Sequence, residues 1–216
     1  MGGFVAGDAV GLGSPDGRGG ESRNGSGDGS LDGSGAATGG RDRYAVGRVT
    51  AAELHGAAGE LAALLVETVR DGASLGFLAT LDHDRAAAWW RALGPEVADG
   101  RLLLWTVRAA DGRLAGTVQL RPAAAANGRH RGEVAKLMVH PADRGHRLAG
   151  RLLAALEERA RELGLRLLVL DTETGSPAER MYEAAGWTRV GSVPDYATDP
   201  AGVPHPTTIF FKALGG

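Results

Sequence analysis

Cysteine is absent from all 216 residues, which excludes disulfide staples, thiolate-ligated zinc and a thiol nucleophile. Long apolar runs are absent too: none approaches the roughly 18 residues needed to cross a bilayer. The N-terminus also lacks the basic patch and apolar stretch of a signal peptide, so the expected compartment is the cytoplasm. Nor does one sign of charge dominate. A formal net charge of -2 gives no electrostatic reason to expect nucleic acid or an anionic membrane as partner, and the expected partner is a small molecule.

What remains has ordinary globular texture, 43% hydrophobic and 23% charged, in a length that suits one domain with a sizeable core. Residues 1–42 stand apart. They are dominated by Gly, Ser and Asp, and ordering them would cost backbone entropy that so little apolar side chain could not offset. The sequence therefore predicts a disordered extension over 1–42 and a folded domain over 43–216.

Within that domain, residues 44–49 read as a strand, and Leu54, Leu61, Leu64, Leu65 and Val69 recur at helical spacing up to Gly72. A loop through Phe77 precedes a second helix running from Asp82 past Trp89 and Trp90 to Leu93. Residues 102–107 and 114–120 flank Asp111-Gly112, a dipeptide favoured where a hairpin turn needs positive φ. After a polar loop around 127–131 comes a strand over 134–139, then a charged turn. A long helix follows, lined by Leu148, Leu152, Ala155, Leu156 and Leu163, with Gly164 placed to end it. The apolar run 165–170 reads as a strand buried on both faces and parallel to 134–139, a β-α-β unit. Ser176-Pro177-Ala178-Glu179 has the order of an N-cap, a first-turn proline and the glutamate of a capping box, and this short helix ends at Gly186. Strands over 188–193 and 207–213 close the chain, with Asp195 and Tyr196 in the loop between them.

The strand, turn and helix from Val134 to Leu153 carry the most chemistry. Unpaired N–H groups of the turn and of the first helical residues converge there with the positive end of the helix dipole, a geometry that holds a pyrophosphate largely by main chain. Arg144, Arg147 and Arg151 add side-chain charge. The segment matches neither the P-loop nor the dinucleotide-binding glycine pattern. Glu133 opens the central strand and Asp171 ends its parallel neighbour. Both carboxylates therefore either border the crevice at the strand ends, where a raised pKa suits a general base, or stand as ordinary solvated strand ends.

Arg144-Gly145-His146-Arg147-Leu148-Ala149 resembles the Arg/Gln-x-x-Gly-x-Gly/Ala turn of the GCN5-related N-acetyltransferase (GNAT) family. Met181-Tyr182-Glu183-Ala184-Ala185-Gly186-Trp187 resembles that family's Leu-Tyr-x-x-x-Gly-Phe segment. Three further stretches, 133–139, 170–179 and 207–212, are similar to the tabtoxin-resistance acetyltransferase branch, whose members acetylate a small antimetabolite. The resemblance spans nearly all of 43–216. It implies a mixed, mostly antiparallel sheet with a splayed parallel central pair flanked by helices, and acetyl-CoA as cosubstrate. It also implies direct transfer to a primary amine of a small molecule in a ternary complex. On it, Leu137, Met138 and Val139 offer main-chain N–H to the thioester carbonyl. Arg144, Gly145, His146, Arg147, Leu148, Ala149 and Gly150 surround the diphosphate. Tyr182 either supplies the general acid or packs between helix and sheet; the candidates for the base are Glu133 and Asp171, from their strand-end positions. Asp195 and Tyr196 fall where the family often contacts acceptor, and the sequence leaves open whether the protein is a monomer or a homodimer.

Two departures stand out. Arg147 occupies a place where the family has Gly; if that position needs positive φ, an arginine there costs on the order of 1 kcal/mol. An Asn common before the Tyr helix is missing, its place falling near Gly175. The six histidines show no i, i+4 pair of the kind that binds zinc, so no metal is expected. Of Trp89, Trp90 and Trp105, at least two are expected in the core. Two other functions remain open on the sequence: a coenzyme-binding sensor without transfer, which Arg147 favours, and acetylation of protein amines.

Overall fold

The computed structural model describes residues 43–215, and the extension expected over 1–42 lies outside the described residues. Among these residues seven strands form one sheet, in the order β1-β2-β3-β4-β5-β7-β6. They are β1 (Tyr44–Val49), β2 (Leu103–Ala109), β3 (Leu114–Pro122), β4 (Arg131–Val139), β5 (Leu167–Glu173), β6 (Thr188–Thr198) and β7 (Pro204–Ala213). Every neighbouring pair is antiparallel except β4 with β5. This is the mixed sheet expected from the sequence.

Helices cover both faces. On one lie α1 (Ala51–Arg70), α2 (His83–Ala92) and the short α3 (Gly94–Ala98). Their buried residues, among them Leu54, Leu61, Leu65 and Trp90, pack on Leu102, Leu104 and Met138 of the sheet side. On the other lie α4 (Leu148–Glu162) and α5 (Pro177–Ala184), where Leu152, Leu156, Ala178 and Tyr182 meet Trp105, Val118, Leu168 and Phe210. Alternation along the strands sorts side chains between these two cores, since successive residues point to opposite faces. Trp90 and Trp105 are both buried, and Trp89 is the tryptophan left half-buried.

Local chemistry explains most of the element ends. Thr50 caps α1: its Oγ1 accepts from Glu53 N–H at 3.3 Å while the Glu53 carboxylate accepts from Thr50 N–H at 2.7 Å, which satisfies two otherwise orphaned donors. Asp82 caps α2 by accepting from Arg85 N–H at 2.7 Å.

Three expectations need correction. The capping box at α5 is half made: Ser176 Oγ accepts from Glu179 N–H at 3.3 Å, but the Glu179 carboxylate reaches Gly175 N–H at 2.6 Å and Thr208 Oγ1 at 2.8 Å. Glu179 is drawn off because β7 brings a hydroxyl within its reach. β6 runs on to Thr198, so Asp195 and Tyr196 lie inside a strand, not in a loop. A register shift between Val193 and Ala197, with Asp195 at φ 49°, absorbs the irregularity. β5 starts at Leu167 with Leu167 and Val169 half-buried, so it is not sealed on both faces. α3 leaves no mark in the sequence pattern, because five residues are too few to show a period.

Candidate functional site

The central feature is a split between β4 and β5. Their parallel ladder consists of Arg131–Leu167, Gly132–Leu168 and Glu133–Val169, with no pair beyond Glu133 although both strands continue. A bulge sits at the point of divergence. Ala135 pairs with Gln119 and Met138 with Thr117, so β4 has one residue more than β3 across this step, and Lys136 holds φ 51°. An extra residue in one strand bends it and interrupts its hydrogen bonding. The main chain of Leu137, Met138 and Val139 is therefore presented along an opened edge. Their side chains leave it free: Leu137 and Val139 enter the core under α4, and Met138 enters the core under α1.

The turn after β4 leads into α4. Residues Pro141–Asp143 form one 3-10 turn, Gly145 has φ 85° and Arg147, the N-cap of α4, is left-handed at φ 57° and ψ 26°. The position of Arg147 thus does require positive φ. No side chain caps α4, and the first N–H to close a helical turn there is Arg151, onto Arg147 O at 3.1 Å. The donors that precede it point out of the helix end, where the dipole is positive. They face a cleft of about 650 Å³ lined by Val139, Asp143, Arg144, Gly145, Arg147, Leu148, Ala149 and Gly150 on one side and by Met181, Ala184 and Ala185 of α5 on the other.

Side chains around the turn take distinct places. Arg144 lines the cleft and pairs with Asp71, Nη2 to Oδ2 at 2.6 Å, while its Nε is buried with no hydrogen-bond partner. Arg151 turns away and donates to Tyr44 O at 2.6 Å. The His146 ring also points outward, 5.3 Å from the Tyr44 ring, outside the residues that line the cleft. Asp143 went unnoticed in the sequence and organises the turn. Buried, it accepts two bonds from Arg113, at 2.6 and 2.9 Å, and one from Tyr44 Oη at 2.9 Å. The Arg113 guanidinium is the main reason its carboxyl is held below the usual range.

Where the strands part, Glu133 and Asp171 share one face of the sheet and Tyr182 sits in the core on the other. Leu168 and Leu170 belong to the core under α4 and α5, so alternation sends Asp171 to the opposite face, and Glu133, level with Val169, to that same face. Asp171 is buried and Glu133 half-buried. Burial raises the Glu133 pKa, the nearby Asp171 charge raises it further, and Arg121, Lys136 and Arg131 oppose the rise. Tyr182 stands on α5 beside Met181, 3% exposed, with its ring against Trp187 at 5.7 Å and Phe210 at 6.1 Å. Burial, and then the Asp171 charge, raise its pKa. Asp171 therefore lies within electrostatic range of both partners. Lys136, Phe77 and Trp89 border the same side and were not singled out from the sequence as a group: strand alternation puts Lys136, three residues after Glu133, on the opposite face, and only the bulge turns it to this one. No group of acidic residues and histidines fit to hold a metal ion is found among the described residues.

The family model described as Acetyltransferase (GNAT) family matches residues 67–187, more than half of the chain. Among solved structures, yncA of Salmonella typhimurium, with its cofactor acetyl-CoA, superposes with a TM-score of 0.62 at 20% identity, over 80% of this chain and 95% of that one. Ribosomal-protein-alanine N-acetyltransferase of Brucella melitensis gives 0.62 at 22% identity over 79% and 99%. A GCN5-related N-acetyltransferase from Kribbella flavida gives 0.65 at 19% identity over 80% and 99%. At these identities the likeness is one of fold.

Proposed function

Because this chain belongs to the acetyltransferase (GNAT) family, we propose that it transfers the acetyl group of acetyl-CoA to the primary amine of a small molecule, both substrates being bound at once. The observation that carries this reading is the uncapped start of α4 at the floor of the cleft. The residues present fit the coenzyme. Main-chain donors of 145–150 and the unpartnered Nε of Arg144 suit a diphosphate, and the apolar wall of Met181, Ala184 and Ala185 suits an alkyl arm. Bound there, acetyl-CoA supplies an activated thioester carbonyl.

The chain's own groups then divide the work. A main-chain N–H in 137–139 donates to that carbonyl as negative charge develops on it. Glu133 or Asp171 accepts the proton of the amine, and burial in a low-dielectric position raises the affinity of Glu133 for it. The Tyr182 hydroxyl, kept protonated by its raised pKa, gives a proton to the departing sulfur. The acceptor enters from the α1 and α2 side, where Glu133 and Asp171 face. On this reading 43–216 is the transferase domain and 1–42 an extension to it. The segments similar to the tabtoxin-resistance branch support an amino-acid-like antimetabolite as acceptor, hence a resistance role.

Two readings compete. The Brucella neighbour's acceptor is a ribosomal protein by its name, which supports acetylation of a protein amine here. The left-handed Arg147 supports a sensor that binds coenzyme without transfer. Thiol release from acetyl-CoA over a panel of amines and peptides separates the three. Turnover on a small amine, with Tyr182→Phe lowering kcat about 100-fold or more and leaving coenzyme binding intact, is the expected result. Preference for peptides selects the second reading, and binding without turnover the third. Absence of calorimetric heat with CoA at millimolar ligand overturns all of them.

A further inference from the structure

The connection between α1 and α2 passes over the Glu133 and Asp171 side of the sheet, and residues distant in sequence hold it there. Asp71, at its start, takes Arg144 of the coenzyme turn at 2.6 Å. Ser74 Oγ donates to Thr198 O at 3.0 Å, and Ala79 N–H donates to Pro200 O at 2.8 Å, which ties the connection to the β6–β7 end. In its middle, Lys136 Nζ donates to Leu75 O at 2.9 Å and stands 5.6 Å from the Phe77 ring centroid and 5.9 Å from that of Trp89. The two rings meet edge to face at 5.2 Å.

Lys136 carries two costs at once. Its side chain is buried, 7% exposed, although removing an ammonium from water is unfavourable unless it is well partnered. Its backbone is left-handed at φ 51°, where a residue with a Cβ is strained. The strained φ makes the bulge that parts β4 from β5. The buried ammonium fixes the height of the 72–81 connection above that same bulge, beside Glu133, whose ionisation it favours.

We propose that Lys136 is a positioning residue for the acceptor: from the bulge, it anchors the 72–81 connection as a roof whose Phe77 and Trp89 rings form a preset wall over Glu133 and Asp171. This rests on the amine-acetylation reading above. A wall fixed before binding spares the acceptor the cost of ordering it and sets the amine at attacking distance.

Lys136→Met keeps chain length and loses the ammonium. It is expected to raise KM for the acceptor tenfold or more, with the CoA dissociation constant within twofold of wild type, and Lys136→Arg is expected to recover most of the loss. Lys136→Gly, which relieves the φ strain yet also lacks the ammonium, is expected to match Lys136→Met in KM. Wild-type KM in either the Met or the Gly variant overturns the proposal, as does a parallel rise in the CoA dissociation constant, which marks general damage. Hydrogen exchange on the same proteins needs no turnover. Amides of 72–81 are expected to exchange at least tenfold faster in Lys136→Met, with those of 148–162 unchanged, and unaltered exchange at 72–81 overturns the proposal even if no amine proves to be an acceptor. Wild-type enzyme that turns over no amine, with exchange at 72–81 quickened as expected, counts against the acetylation reading and leaves the roof anchor standing.

Discussion

Arg147 shows a single residue working against its backbone. At φ 57° it adopts a conformation that only glycine enters without steric cost. Arg147→Gly is therefore expected to stabilise the protein by about 1 kcal/mol, a figure set by the left-handed penalty for residues with a Cβ. Chemical denaturation reads this as a higher midpoint at unchanged slope. An equal or lower midpoint would mean that the arginine side chain returns more than the strain removes. Glu133 supplies a second test. Its pKa is raised, chiefly by burial, and a base works only when unprotonated. Activity is thus expected to fall on acidification from a pH above the ordinary glutamate range, with loss complete below it. Glu133→Gln is expected to lower kcat/KM by about 100-fold or more and to abolish that acid limb. A limb that survives in Glu133→Gln assigns the base to Asp171.

At the scale of elements, the β3–β4 pairing sets the shape of the opening. Gly116 lies opposite Val139, which lines the cleft, and a Cβ on Gly116 would come within 2.6 Å of Met138 O and 3.0 Å of Val107 Cγ1. Backbone cannot yield to such a contact as a flexible side chain would. Gly116→Ala is expected to destabilise the fold by about 1–3 kcal/mol, the usual range for overpacking. The CoA dissociation constant should rise with it, because Val139 must shift. A variant as stable as wild type and with unchanged CoA affinity would show that β4 is not held by this approach. Among the elements, those with strong local signals were legible: β1 ends where the sequence places it, α4 begins at Leu148 after the charged turn, and Ser176 and Pro177 start α5. The length of β6 was not legible. Its continuation through Pro194 and Asp195 depends on pairing with β7 across a register shift, which no local propensity encodes.

For the molecule as a whole, Asp143 joins three parts of the chain: β1 through Tyr44, the β2–β3 hairpin through Arg113, and the coenzyme turn itself. Its carboxyl is held below the usual range in the folded state. A group depressed by folding contributes stability that is present above its unfolded pKa, roughly 3.9, and is lost as pH falls through the folded value. Wild type is accordingly expected to lose stability on acidification through and below about pH 4. Asp143→Asn is expected to be less stable at neutral pH by about 1.5–3 kcal/mol, the range for a hydrogen bond to a charged group, with a shallower acid dependence. Denaturant midpoints at neutral pH and at acid pH check both statements; parallel curves for the two proteins would remove Asp143 from the account.

Periodicity, caps and turn dipeptides act over a few residues, and for this reason the sequence alone determined the order of elements, the anion-binding turn and the family likeness. Tertiary structure decided what depends on contacts between distant residues. The left-handed Lys136 that splits the sheet has no local sequence requirement behind it. Asp143 has its partners because separate strands bring Arg113 and Tyr44 to it. Glu133, Asp171 and Tyr182 come within electrostatic range because β4 and β5 pair in parallel up to Glu133 and α5 packs on β5, a matter of long-range register that short-range pattern does not record.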